Sequence, residues 1–420
     1  MFNLNIINKF QKYSFLKVLS LIFLTIFLIS LPSLEAPKNI FMFLFVISAF
    51  LIEVKDHSYK NYEIWDGIFL SLILSALLSA CFGAVNGYEW KGFRTILFTS
   101  LMGWFLYRYK YTTKELNFFY WVTILSTIPP LLWGLAEVLI FQSKNDLQLN
   151  SVGHVNHSAI YITIIYGALI SKLLNNDSDY SAIKKIGLYV LTLTLFAGVV
   201  IGASRAAFGC AILVTILSVF LSNKSIKQKI TGYIYFLVLI SFAIFLNATI
   251  FQKIAGKIKA HDNLSARDKL WSISIEGSKI NPMLGLGNGN WKLMPEEKIK
   301  QITELQNKNY SPEDFKFAIQ HGHPHNLYLA TLADRGVFGL LILANLIVYW
   351  LFKLIKTYLM TKRSQGYSLF WLSSLSTWIS VFVIGLVNTT FHHETALLAF
   401  VFLSLQLGYL RLINAQRIQI

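Results

Sequence analysis

Long apolar blocks dominate this chain, and short polar connections separate them. Each block contains about 16–25 residues, which as a helix crosses the roughly 30 Å hydrocarbon layer of a bilayer. The blocks lack the period-two alternation that membrane β-barrels need, so helices must satisfy the backbone hydrogen bonds. The pattern predicts an all-α fold, a polytopic transmembrane helical bundle.

Composition and charge agree with this fold class. Of the 420 residues, 55% are hydrophobic and 14% are charged, which is more apolar surface than a single soluble core can bury. The net charge of +16 could indicate nucleic-acid binding, but the charges lie in the connections, where membrane topology places them. We therefore expect contact with membrane lipid and no nucleic-acid partner.

The apolar blocks predict about twelve spans. The first follows three lysines, but it is long and Ala36-Pro37 is a poor cleavage site, so we interpret it as a retained helix. The chain then divides into spans 1–9 (residues 1–251), a polar loop (252–326), and spans 10–12 with a short tail (327–420). The spans are approximately 15–34, 39–54, 67–85, 93–109, 116–141, 159–174, 186–204, 206–222, 230–251, 331–352, 367–389 and 395–410.

The distribution of Lys and Arg predicts the orientation. With the N-terminus inside, twenty of these residues fall in inside segments and five in the short outside connections. This positive-inside bias predicts cytoplasmic termini and a long loop on the outer, extracytoplasmic side. It also requires a turn of the chain at Arg205, without which the downstream half would invert.

The long loop has some predicted structure of its own. A helix over about 264–280 would begin at Asn263 or Ser265 and end near Asn281-Pro282. A second helix is predicted over about 295–307. Residues 290–320 otherwise show no pattern that assigns a function.

Two arginines on the predicted outer side are candidate anion ligands. Arg205 lies between two strongly apolar blocks, where a guanidinium must be paired, solvated or able to reach the interface. It is either an interfacial anchor or an anion site, since guanidinium matches phosphate oxygens. Arg267 and Trp271 would share one helix face at i, i+4.

The glycine-rich segment that follows this helix allows two interpretations. It contains Gly287 and Asn288, and its glycines permit positive φ and a close approach of the backbone to a ligand. A plain helix end followed by a loop would use the same glycines. The segment alone does not choose between them.

Three histidines, His321, His323 and His325, lead back into the membrane. Because imidazole titrates near neutrality, one of them could take a proton from a hydroxyl group. The three could also bind a metal, although no acidic or Cys ligand accompanies them, or form a simple interfacial turn. Two further segments, Gly153–Ser158 and Asn388–Glu394, are either polar rims of a cavity or solvated loops.

Taken in order, these motifs resemble the O-antigen ligase/O-antigen polymerase superfamily of Gram-negative inner membranes. The resemblance covers roughly residues 190–355, and the span number and the long periplasmic loop fit it. The motifs are Ser204-Arg205, Arg267-x-x-x-Trp271, Asn281-Pro282-x-x-Gly285-x-Gly287-x-Gly289, His323-Pro324-His325-Asn326-x-x-Leu329 and Asp334-Arg335-Gly336.

The resemblance implies an O-antigen ligase, a metal-independent glycosyltransferase of lipopolysaccharide biosynthesis that needs no cofactor. Such an enzyme moves a glycan from undecaprenyl diphosphate to the lipid A core at a periplasmic active site. The resemblance implies that Arg205, Arg267 and His325 are catalytic, with Asp268 able to neutralise part of the Arg267 charge. The implied substrate-binding residues are the two arginines with Trp271, Gly287, Asn288, His323 and Asn326.

The residue chemistry suits this transfer. Two arginines can stabilise the departing diphosphate without Mg²⁺, and His325 as general base can activate the acceptor hydroxyl. Attack opposite the leaving group would invert the anomeric centre. The same fold would also serve an O-antigen polymerase or a protein O-oligosaccharyltransferase, and a lipid-linked glycan flippase is the alternative from another class.

Overall fold

The computed structural model describes residues 4–57, 60–175, 180–222, 224–246, 267–307, 309–361 and 369–418. Every regular element within these ranges is a helix, which confirms the all-α prediction. The N-terminal part consists of α1 (Leu4–Ser30), α2 (Glu35–Lys55), α3 (Ile64–Phe82), α4 (Glu89–Arg108), α5 (Thr113–Ser126), α6 (Ile128–Leu139), α7 (Val155–Leu174), α8 (Ala182–Ile201), α9 (Arg205–Leu221) and α10 (Ile226–Leu246).

The remaining helices form the loop region and the C-terminal part of the bundle. The loop region contains α11 (Arg267–Ser278), α12 (Glu296–Leu305) and α13 (Pro312–His321). A 3-10 turn at Trp291–Leu293 lies between the first two. The C-terminal part contains α14 (Leu327–Thr361), α15 (Leu369–Phe382), a 3-10 turn (Ile384–Leu386) and α16 (His393–Ile418).

The protein is a multi-pass membrane protein, and each predicted span overlaps helical residues. Within the described ranges, eight helical segments are long and apolar enough to cross a bilayer, and two shorter apolar helices accompany them. The exact number of about twelve spans therefore stays a prediction. The predicted span 116–141 consists of two helices. Helix α6 begins at Ile128 and has Pro129 and Pro130 in its first turn, and a proline ring fits the first turn of a helix but disrupts its interior.

Helix α7 lies at the centre of the bundle. Its residues from Ser158 to Ser171 are buried on every face, as expected of a helix that is hydrophobic all round. A side chain at Gly167 would meet Ser376 of α15 at 2.7 Å, so the glycine allows these two helices to pack closely. Helix α7 begins at the end of the bundle where the candidate functional residues lie.

The loop region has a separate apolar core. Leu270, Leu286, Trp291 and Phe315 are among its buried members, and the Trp291 indole donates a hydrogen bond to the Ala318 carbonyl at 2.9 Å. The loop region also docks on the bundle, where Ser274 donates to the Leu329 carbonyl at 3.0 Å. The loop is therefore a folded cap on one end of the bundle.

Two of the loop helices follow their predictions and one was missed. The helices at Arg267–Ser278 and Glu296–Leu305 lie within the predicted ranges, while Asn263 and Ser265 lie outside the described residues. Helix α13 was not predicted, although Ser311 caps its start, accepting from the Asp314 amide at 3.2 Å. Gly322 ends it with a φ of 75°. The predicted domain boundary at residues 251/252 also lies outside the described residues.

Candidate active site

The candidate residues meet at one end of the bundle, which we call the site end. Arg205 is the first residue of α9, and Ser204 caps that helix by accepting from the Ala207 amide. Arg267 is the first residue of α11, which belongs to the cap. His325 lies immediately before α14. Three segments that are far apart in sequence therefore deliver their cationic or basic groups to one place.

The effect of Arg205 on the pKa of Arg267 shows that the two side chains are close to each other. Burial lowers the pKa of Arg267, and the positive charge of Arg205 lowers it further. Both side chains are half-buried. Within the described residues, no carboxylate is among the groups that shift Arg267. Two like charges held close together in a partly desolvated place favour an anion between them.

His325 is held in place by its backbone. Its φ is 48°, a left-handed value that costs free energy in a residue with a side chain. The next residue, Asn326, caps α14, because its Oδ1 accepts from the amides of Tyr328 at 2.9 Å and Leu329 at 3.0 Å. Its Nδ2 donates to the Leu386 carbonyl at 2.8 Å. Asn326 therefore positions His325 with both ends of its side chain, and its predicted role in substrate binding remains untested.

The pKa of His325 is lowered to about 4, first by burial and then by the nearby His323. The Arg267 charge acts in the same direction, while a polar contact with Asn388 acts in the opposite one. Burial also lowers the pKa of His323 to about 4. Both imidazoles are therefore neutral at pH 7 and able to accept a proton.

More histidines lie beside His325 than the sequence motif suggested. The ring centroids of His323 and His325 are 4.1 Å apart, and those of His157 and His392 are 4.6 Å apart. His157 interacts electrostatically with both His323 and His325, so the two pairs face one space. His154 and His393 extend the group at 5.7 Å from His157 and 4.7 Å from His392. We call these six residues the histidine cluster.

The histidine cluster contains ring nitrogens without partners. In the described part of the chain, His157 Nδ1, His323 Nε2, His325 Nδ1 and His392 Nδ1 are buried and make no hydrogen bond. Buried polar atoms are nearly always satisfied in folded proteins. Four such atoms in one region indicate a place that water or the hydroxyl groups of a ligand complete.

The third histidine of the sequence motif points elsewhere. The His321 Nδ1 is 2.8 Å from the Phe317 carbonyl of its own helix, and its ring lies 4.0 Å from that of Phe317. Among the described residues, no group of three or more His, Cys, Asp or Glu side chains is arranged to hold a metal ion. The metal alternative gains no support from this arrangement.

The glycine-rich segment packs between helices. The amide of Leu286 donates to the Ala333 carbonyl at 2.8 Å, and the amide of Val85 donates to the Leu286 carbonyl at 3.0 Å. Gly287 has a φ of 106°, and the buried Asn288 donates to the Ala76 carbonyl at 2.7 Å. These contacts join the loop to α3 and α14, so they favour a structural role for Gly287 and Asn288 over the predicted ligand contact.

Trp271 belongs to the same cap. Its side chain is half-buried against the apolar core of the loop, and its Nε1 is buried without a hydrogen-bond partner among the described residues. The predicted i, i+4 relation to Arg267 is met, because both residues lie in α11. Its role in substrate binding stays a prediction.

Part of the chain matches a known protein family. Residues 190–344 match the family described as O-antigen ligase, and this segment contains Arg205, Arg267 and His325. None of the curated proteins matches the chain. The family consists of glycosyltransferase-type enzymes, both ligases and polymerases. Residues 190–344 of the chain are therefore similar to the O-antigen ligase family.

Proposed function

We propose that the protein is an O-antigen ligase that transfers a glycan from undecaprenyl diphosphate to the lipid A core. The observation that carries this proposal is the neighbourhood of two like-charged arginines and a neutral imidazole at the site end. A lipid-linked diphosphate brings negative charge to the two arginines. A sugar hydroxyl supplies the proton that the imidazole can accept.

Arg205 and Arg267 stabilise the leaving group. When the bond between the anomeric carbon and the diphosphate oxygen breaks, negative charge increases on the diphosphate. Guanidinium groups that are already in place stabilise that charge without reorganisation, most strongly in a partly dehydrated site. They also bind the donor, since planar guanidinium pairs well with phosphate oxygens.

His325 activates the acceptor. Its neutral ring accepts the proton of the attacking hydroxyl while the new carbon–oxygen bond forms on the face opposite the diphosphate, so the anomeric configuration inverts. A base with a pKa of about 4 is weak in the empty enzyme. The negative diphosphate, once bound beside Arg267, raises the pKa of His325 and so strengthens the base.

The proposed setting is the periplasmic face of the inner membrane, with both termini in the cytoplasm. The excess of Lys and Arg in alternate connections supports this orientation. Helix α9 begins at Arg205 and α14 follows His325, so these residues lie on the side that the charge bias assigns to the periplasm. Donor and acceptor are both lipids that reach the site from the outer leaflet.

A reconstituted reaction tests this function and separates it from the polymerase alternative. Purified protein in vesicles receives a carrier-linked glycan and, in separate samples, lipid A-core or a second carrier-linked glycan as acceptor. We expect glycan-capped lipid A-core, also in the presence of EDTA. Product only on the second carrier would contradict the ligase and favour a polymerase, and glycan movement without transfer would favour a flippase.

Two variants give this test its control. His325→Ala should reduce transfer by about 10²–10⁴-fold, whereas His321→Ala should leave it near wild type, because His321 bonds to its own helix. An equal effect of the two substitutions would contradict the assignment of His325 as the base.

A further inference from the structure

A second groove opens beside the histidine cluster, between α2, α4 and α16. It encloses about 450 Å³, and we call it the lateral groove. Lys38, Arg94 and His393 line its polar part, while Met42, Phe43 and Phe98 line its apolar part. Along both α2 and α4, the cationic residue precedes the aromatic ones and lies nearer the site end. The groove is therefore polar toward the site end and apolar toward the membrane centre, as an amphiphile is.

In the polar part of the groove, Lys38 is buried and held by ion pairs. Its side chain is 5% exposed, and its Nζ pairs with Glu35 at 2.7 Å and with the buried Glu394. A buried ammonium is costly unless it is paired, and the two carboxylates hold it in one position. Ser151, whose hydroxyl is 3.4 Å from the Nζ, completes its surroundings.

Arg94 is the cation of the groove that remains available. It is exposed, and it makes no ion pair or hydrogen bond within the described residues. Its guanidinium lies on the second turn of α4, level with the polar part of the groove. An unpaired arginine beside an apolar wall at the membrane boundary favours the phosphate group of a lipid.

The lateral groove adjoins the histidine cluster at His393. His393 lines it, and the same residue lines a small cavity together with His157, His392 and Glu394. The rings of His393 and His392 are 4.7 Å apart, and those of His392 and His157 are 4.6 Å apart. A lipid headgroup in the polar part of the groove would therefore lie next to the histidine cluster, which includes His325.

We propose that the lateral groove binds the acceptor lipid through a phosphate on its headgroup. This inference rests on the proposed function and adds a second lipid site to it. Arg94 contacts the phosphate, Phe43 and Phe98 contact the acyl chains, and the sugar hydroxyls reach the unpartnered nitrogens of the histidine cluster. The donor diphosphate lies at Arg205 and Arg267, so the two lipids approach His325 from different sides.

Steady-state kinetics with both lipids varied tests this assignment. Arg94→Gln should raise the KM for lipid A-core by about ten-fold and leave the KM for the donor and the kcat near wild type. Lys91→Gln is the matched control, because Lys91 is exposed on the same helix and does not line the groove. A raised donor KM, or equal acceptor KM values in both variants, would overturn the proposal.

Direct binding keeps the test independent of catalysis. Purified wild type and Arg94→Gln are mixed with lipid A, with lipid A lacking its phosphates, or with phosphatidylglycerol, and bound lipid is counted by native mass spectrometry. We expect tight binding only of lipid A that retains its phosphates, and only to the wild-type protein. Equal binding of phosphatidylglycerol would indicate a general phospholipid site and overturn the acceptor assignment. If no glycan transfer occurs at all but this pattern holds, the proposed function fails and the lipid site stands.

A second variant blocks the groove by volume. Thr95 lines it, and Thr95→Trp would fill part of the space with an indole. The acceptor KM should rise while donor binding persists, which also shows that the variant is folded. Unchanged acceptor KM in Thr95→Trp would contradict a lipid in this groove.

Discussion

Charged residues have opposite surroundings at the two ends of the bundle. At the end away from the loop, Asp66 is fully buried and accepts from Arg108 at 2.8 Å and 2.7 Å and from the Trp104 indole at 2.7 Å. Glu53 adds a second carboxylate 3.6 Å from Arg108. At the site end, Arg267 is close to another arginine, and four imidazole nitrogens of the histidine cluster lack partners in the described residues.

The difference indicates which end is built for stability and which for a ligand. A paired and hydrogen-bonded buried charge is costly to break and holds α3 and α4 together. Like charges and unpaired polar atoms cost stability, so they persist where binding or catalysis requires them. Substitutions at the two ends should therefore separate activity from stability.

Among the substitutions that test the contrast between the two ends, the largest effect is expected at Arg267. Arg267→Gln should reduce glycan transfer by about 10²–10³-fold, since it removes one preorganised donor from the developing diphosphate charge. Thermal stability should stay the same or rise, because repulsion with Arg205 is relieved. Lys269→Gln on the same helix is the control, as its ammonium pairs with Asp314 at 2.7 Å. Transfer at the wild-type rate in Arg267→Gln would remove the contrast between the two ends.

The converse effect is expected at Asp66. Asp66→Asn should lower the free energy of unfolding by about 3 kcal/mol, because Arg108 would lose its closest buried carboxylate. The activity per folded molecule should not change. Thermal unfolding in detergent, together with the specific activity of the folded fraction, measures both quantities. A loss of activity without a loss of stability would reverse the roles assigned to the two ends.

A smaller loss of stability is expected where the cap joins the bundle. Gly336 in α14 has φ 63° and ψ −166°, a region that only glycine occupies readily, and a side chain there would meet the Met283 backbone at 2.3 Å. Gly336→Ala should cost about 1–3 kcal/mol from the backbone angles alone, and more with the contact. Gly289→Ala is the control for the contact, since Gly289 also has a positive φ, 79°, but its Cβ would meet nothing within 4 Å.

This pair of variants sharpens the comparison of the two ends. We expect Gly336→Ala to loosen the cap that carries Arg267 and so to reduce activity together with stability. Equal unfolding temperatures for the Gly336→Ala and Gly289→Ala variants would show that the join is not a tight backbone contact.

The smallest effect concerns pH. His325 acts as a neutral base, and its pKa of about 4 keeps it neutral at every pH well above that value. Activity should therefore be lost only as pH falls through about 4, and not near 6.5 as for an unperturbed histidine. The acid limb of kcat/KM reports this group in the free enzyme. It should move to higher pH in Arg267→Gln, because the Arg267 charge lowers the pKa. An acid limb at 6.5 in the wild type would contradict the burial of His325.

Much of this architecture could be predicted from the sequence, because block length and loop charge report directly on membrane helices. The three residues Arg205, Arg267 and His325 could also be placed on one side, since topology alone fixes which helix ends face together. The histidine cluster could not be predicted from the sequence. His157 and His392 are separated by most of the chain, and polar residues in short connections are equally compatible with solvated turns.

The glycine-rich segment shows the limit of motif reasoning. Positive φ at Gly287 was expected and is observed, but close approach of the backbone can serve a ligand or another helix equally well. Here the neighbours are α3 and α14, through Ala76 and Ala333. The sequence does not show which helices pack against this segment, so it could not distinguish a ligand contact from a contact between helices.

Equilibrium binding of the carrier-linked glycan tests the central claim most directly. Labelled donor is titrated into wild type, Arg267→Gln and His325→Gln without acceptor, and transfer is then measured after acceptor is added. We expect Arg267→Gln to lose donor affinity, and His325→Gln to bind donor as wild type does yet transfer almost nothing. Wild-type donor affinity in Arg267→Gln, or full transfer by His325→Gln, would contradict a site in which arginines hold the diphosphate and the imidazole takes the proton.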